Sequence, residues 1–237
     1  PDDLLRFKAQ GIKAIMRGIE NGYAIGRDLS LLSHFRQMGV VYMTLCHNGD
    51  NDICDSARGH AEHGGLSAFG QEVVREMNAL GMMIDMSHAA ESSFYDALAL
   101  SQAPIVCSHS SSRALCSHPR NLTDDQMKAL AAQGGVAQVT LYHGFLRHEG
   151  EATVLDALDH LHHMVQVMGP EHVGIGTDFD GDGGVRGLKD ASQLIGFTRQ
   201  LLRRRYSESD LQGIWGGNFL RVMRQVQSSA TSHLGLS

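Results

Sequence analysis

The sequence predicts an α/β fold whose parallel strands wind into a barrel. Three observations predict it. Six short apolar runs, rich in Val, Ile and Met, recur along the chain. Several are apolar at nearly every position, as strands buried on both faces are. Each run is followed by a loop and an amphipathic stretch, and this strand–helix alternation calls for parallel crossovers. Finally, the runs end in Glu20, His47, His88, His109, Tyr142 and Asp178. In a parallel barrel the side chains at the C-terminal strand ends meet at one mouth. A doubly wound sheet should instead carry a Gly-rich phosphate turn after a strand. The Gly181–Gly184 segment lacks that spacing and the acidic residue that should follow it.

The elements follow in order. The first run is Ile12–Glu20, and the helix Asp28–Met38 comes after it with Leu29, Leu32 and Phe35 on one face. The second run, Val40–His47, leads through a polar loop to the helix Ser67–Leu80, with Ser67 as its N-cap and Val73, Val74, Met77 and Leu80 as its apolar positions. Met82–His88 precedes the helix Glu91–Leu100. Pro104–His109 precedes Asp124–Ala132, with Thr123 as cap and Gly134 or Gly135 as terminator. Gly135–Tyr142 precedes Thr153–Met168. His172–Asp178 precedes two closing helices, Asp190–Arg205 and Ser207–Val226. Ser207 with Asp210 three residues on resembles a helix start. No repeat, low-complexity tract or Pro-rich linker divides the chain, so residues 1–237 read as a single catalytic barrel domain.

Composition narrows the function. The 237 residues are 42% hydrophobic and 19% charged, with net charge -6, which suits one globular domain with a sizeable core. An acidic balance argues against nucleic acid or an anionic membrane as partner. No apolar run reaches the ~20 residues of a membrane helix. No signal peptide is visible at Pro1, and the absence of an initial Met leaves the compartment open. Cys46, Cys54, Cys107 and Cys116 form no CxxC pair and read as free thiols near a core.

The 14 histidines are the unusual feature. Any one of them could be a satisfied core group, and Glu20 alone could be a turn residue before Asn21–Gly22. Together at one rim, Glu20, His88 and His109 make a ligand set that zinc accepts. A metal with an open position activates water and polarises a carbonyl. His47 is then a candidate contact for the oxyanion and Asp178 a candidate acid/base. Arg120 lies just past the fourth run, and its planar fork suits a substrate carboxylate. His160, His162 and His163 share one helical stretch and read as a solvated face. His60 and His63 fall in a polar loop, and Asp180 and Asp182 in a Gly-rich one without EF-hand spacing.

At these residues the chain resembles the renal (membrane) dipeptidase family, and more closely its bacterial branch. The matching stretches are GIENG around Glu20, YMTLCHNGDND around His47, GLSAFGQEVVREMNALGMMIDMSH ending at His88, APIVCSHSSSRALCSHPRNLTD spanning His109 and Arg120, HVGIGTDFDG around Asp178, and the closing WGGNFLRVM. The resemblance covers essentially the whole chain. It implies a TIM-like (β/α)8 metal-dependent hydrolase barrel, usually dimeric, with two zinc ions per complete subunit bridged by one glutamate, here Glu20. It further implies that His88 and His109 complete the shell of one zinc. His47 would hold a substrate or intermediate oxygen, Arg120 the dipeptide carboxylate, and Asp178 would shuttle the proton to the leaving amine. The implied substrates are dipeptides, with a D-residue tolerated at the C-terminal position. The family's other zinc takes its ligands from a His-x-Asp motif well before Glu20, and no such motif precedes Glu20 here. Six runs also fall short of the eight strands of a closed barrel. The first one or two βα units are therefore expected to lie outside the 237 residues. Two further readings fit the same pattern: a metal-deficient binding protein that keeps the dipeptide pocket, and an amidohydrolase acting on N-acyl amino acids.

Overall fold

The computed structural model describes residues 1–230. Six strands form one sheet: β1 (Arg17–Glu20), β2 (Val40–Thr44), β3 (Met83–Asp85), β4 (Val106–Cys107), β5 (Val136–Val139) and β6 (Val173–Ile175). Each is hydrogen-bonded to the next in chain order, and all neighbours are parallel. A doubly wound sheet reverses its strand order at a switch point. This sheet never does, and sequential winding is the course of a (β/α) barrel.

The strands divide their side chains between two environments. Met43, Ile84, Cys107, Ala137 and Val139 face outward into the larger core, which the helices cover. Those helices are α2 (Ser30–Gln37), α3 (Ala68–Leu80), α4 (Glu91–Leu100), α5 (Asp124–Ala132), α7 (Val154–Met168) and α8 (Leu194–Arg203). On the opposite side, Met83, Val106 and Val136 join Phe219, Val222, Met223 and Val226 in a second apolar cluster. The last four belong to α10 (Asn218–Ser228). One helix therefore packs against the lower inner side of the sheet. Two residues further along the strands the layer turns polar, with Thr44, Asp85, Ser108 and Gln138.

Several expected elements shift. The first run is a strand only over Arg17–Glu20, and Lys13–Met16 are exposed. A helix, α1 (Asp2–Ala9), precedes it, and the apolar pattern gave no sign of it. Helix α6 (His143–Leu146) is a single turn. The helix expected over Asp190–Arg205 is a 3-10 turn at Ala191–Gln193 followed by α8. The helix expected over Ser207–Val226 breaks into α9 (Glu208–Gln212) and α10. Between them lies a wide turn at Gly213–Gly217, where Gly216 takes φ 141°. Only glycine adopts that backbone readily. All four cysteines are buried free thiols.

Candidate active site

Glu20 is the last residue of β1, but the other expected rim residues stand in the loops just past their strands. His47 lies three residues beyond β2, His88 three beyond β3, His109 two beyond β4, and Asp178 three beyond β6. Burial continues past the strand ends at Leu45, Cys46, Met86 and Leu141. The ladder thus ends earlier than the hydrophobic runs suggest.

The loops nevertheless carry the side chains to one place. Glu20 Oε1 lies 3.1 Å from His88 Nε2 and 3.2 Å from His109 Nε2. The two imidazole nitrogens are 2.8 Å apart. Ligand atoms on a tetrahedral zinc with bonds near 2.0–2.1 Å sit about 3.3 Å from one another. Three ligand atoms, one from the end of β1 and two from the loops after β3 and β4, converge on a single point and fit one such ion. His47 stands beside them, its ring centroid 4.3 Å from that of His88. Glu20, His47 and His88 each offer a ligand atom within 4.8 Å of the others. His47 is therefore near enough to act as a further ligand or as a contact to bound substrate.

Backbone strain concentrates at the same rim. Asn21, His88 and Asp178 have φ of 85°, 72° and 56°, in the left-handed region that non-glycine residues seldom occupy. Asn21 connects two of the loops, since Asn51 Nδ2 donates to Asn21 Oδ1 at 3.2 Å and to the Leu45 carbonyl at 2.9 Å. The long loop after β2 is held by its own acidic residues. Asp50 accepts from the backbone of Ser56 and His60, and Asp55 from His63 and Gly65.

Electrostatics follow from burial. Desolvation pushes the His88 imidazole down to about 4, so it is neutral and able to coordinate at pH 7. The Asp178 carboxyl is raised, chiefly by burial, with the charges of Glu20 and Asp180 also raising it. Arg120 is only 3% exposed, and burial pushes its guanidinium down to about 10. Its Nη2 donates to the His109 carbonyl at 3.4 Å, the group stacks 5.2 Å from the Phe145 ring centroid, and its Nε has no partner. Among the described residues no carboxylate lies within ion-pair distance of it, although the charges of Asp85 and Asp178 act on it from further away. A buried cation with spare donors is primed for an anion.

A cavity of about 1080 Å³ spans the two ends of the sheet. Glu20 and Gly18 line it from β1, Gly176 and Asp178 from just past β6, and His109 and Ser108 from past β4. Gly176 is required there, because a Cβ would collide with the Ser108 carbonyl. β1 and β6 do not pair with each other among the described residues.

The remaining histidines do other work. His160 is a correction: it is 1% exposed, not on a solvated face. The Ser112 N–H donates to its Nδ1, and its Nε2 bonds the Leu146 carbonyl. His162 meets the Tyr206 hydroxyl and His163 the Asp124 carboxylate. His63 bonds the Asn51 carbonyl within its loop. Sequence reasoning missed Thr44, Asp85, Ser87 and Ser108, which lie beneath the histidines. The available signal was three polar residues, Asp85, Ser87 and Ser108, interrupting two otherwise apolar runs.

Comparison with known proteins identifies the family. A family model described as membrane dipeptidase (peptidase family M19) matches residues 1–234. Dipeptidase 3 of Mus musculus is 39% identical over 230 residues, covering 94% of this chain and 47% of its own length. The crystal structure of the probable dipeptidase PvdM from Pseudomonas aeruginosa superposes with TM-score 0.94 at 31% identity, over 97% of this chain and 73% of that one. A metallopeptidase from Rhodobacter sphaeroides, solved with a phosphinate mimic of the dipeptide L-Ala-D-Ala, gives TM-score 0.89 at 27% identity, covering 95% and 67%. The chain spans about half the length of the curated relatives it matches. With the match running along nearly its whole length, the chain belongs to the membrane dipeptidase family.

Proposed function

We propose that the protein hydrolyses dipeptides with a divalent metal, zinc by choice of ligands, held by Glu20, His88 and His109. The observation that carries this is the meeting of three ligand atoms, with His88 Nε2 and His109 Nε2 both within 3.2 Å of Glu20 Oε1. Two imidazoles and a carboxylate form a set common at catalytic zinc sites. The ion would supply Lewis acidity and activation of water.

The chain's own residues do the rest. Arg120 binds the C-terminal carboxylate of the dipeptide, since its buried guanidinium makes no direct ion pair and its Nε has no partner. His47, beside His88, contacts the carbonyl oxygen as negative charge develops on it. Asp178, its carboxyl raised by burial, takes a proton from the attacking water and returns it to the departing amine. The dipeptide mimic bound by the Rhodobacter relative supports a substrate of this size, including one ending in a D-residue. Glu20, His88 and His109 would form the shell of one ion.

Metal analysis and an assay with L-Ala-D-Ala, with and without added zinc, test the proposal. Expected are bound zinc and zinc-dependent release of both alanines, with metal content lost in His88→Ala. Failure to bind zinc would remove the metal assignment. Turnover of N-acyl amino acids with inert dipeptides would remove the substrate class.

A further inference from the structure

Beneath the proposed ligands lies a polar chain that the mechanism above does not use. Asp85, at the end of β3, is wholly buried. Its Oδ1 accepts from the backbone N–H of Ser87 at 3.0 Å and of Ser108 at 2.9 Å. Its Oδ2 accepts from the hydroxyls of Thr44 at 2.6 Å and Ser108 at 2.5 Å. Four donors and no acceptor surround it, the pattern of a carboxylate.

A serine has one hydroxyl proton, and Ser108 commits it to Asp85. The Ser108 Oγ lies 2.8 Å from His109 Nδ1, so in that contact it accepts. With that assignment His109 carries its proton on Nδ1, and its Nε2 is left to accept, as it can from the His88 Nε2–H at 2.8 Å. That Nε2 is the atom beside Glu20 Oε1 and His88 Nε2. Ser87 secures the backbone as well, its Oγ accepting from the His109 N–H at 3.0 Å. His88 has no such support, since its Nδ1 is buried without a partner.

We propose that Ser108, oriented by Asp85, is a positioning residue that fixes His109 as the Nδ1–H tautomer and so presents Nε2 to the metal. The proposal rests on the reading of Glu20, His88 and His109 as ligands. It makes His109 the pre-organised ligand and His88 the adaptable one. A hydrogen bond to the far nitrogen of a coordinating histidine sets its tautomer and ring orientation, and losing it typically weakens metal binding about ten- to hundredfold.

The test uses histidine-labelled protein stripped of metal, with two-bond proton–nitrogen correlation spectra assigned through His109→Asn. The wild type should show His109 with a protonated Nδ1 and a bare Nε2. In Ser108→Ala the Nε2–H form should appear and zinc affinity, measured by chelator competition, should fall about ten- to hundredfold. Ser108→Thr keeps the hydroxyl and should keep both properties. Asp85→Asn provides a second variant: an amide can donate to the serine, whose proton then turns toward Nδ1 and flips the tautomer. A wild-type His109 found as Nε2–H overturns the relay, as does a Ser108→Ala variant with unchanged tautomer and affinity. A wild type with the expected tautomer but no zinc uptake overturns the ligand reading, and with it the relay's role in metal binding.

Discussion

Arg120 keeps a positive charge where water barely reaches it, and that cost needs an anion to offset it. The guanidinium remains protonated at neutral pH even though burial pushes it down to about 10. Replacing Arg120 with Ala should raise KM for a dipeptide about ten- to hundredfold, the scale of a lost charge-assisted hydrogen bond. kcat should change far less, because the anchor grips ground state and transition state alike. Steady-state kinetics on the variant decide this, and an unchanged KM would assign the carboxylate to another group.

Among the elements, helix starts were the most legible feature of the sequence. Thr123, Thr153 and Ser207 each complete a capping box, with Gln126, Asp156 and Asp210 as reciprocal partners. The signal is local, so it survives without knowledge of the tertiary fold. Thr153→Ala should lower stability by about 1 kcal/mol, read as a shift of the urea midpoint at constant slope. No shift would mean that packing alone holds α7 in place. Strand ends were less legible, because Leu45, Met86 and Leu141 stay buried after the ladder has finished. Burial continues there without strand pairing, and hydrophobicity alone cannot tell the two apart. The kink at Gly216 escaped because the surrounding pattern keeps its helical period on both sides. The rim residues were readable as a convergent set, although of them only Glu20 ends a strand. Asp85 and Ser108 showed only as polar interruptions of apolar runs, because the contact that gives them meaning joins the end of β3 to the loop after β4.

For the molecule as a whole, buried neutral histidine ties stability to pH. Burial lowers the His160 pKa below its ordinary value of 6.5. The unfolded chain therefore takes up a proton before the folded one does, and stability present above about pH 6.5 is lost as the pH falls. Thermal unfolding should move to lower temperature between pH 7.5 and 5.5, and His160→Gln should flatten that dependence. Equal slopes in the two proteins would remove His160 from the account. The rim has a consequence on this scale too. Glu20 comes from the first strand and His109 from just past the fourth, yet they approach to 3.2 Å. A cation bound between them would act as a stitch across distant stretches of the polypeptide, resisting their separation during unfolding. Anything that binds only the native form adds its binding energy to the native form's resistance to heat. The proposed metal site would then also be a clasp, and the temperature at which the protein melts would report whether the clasp is shut.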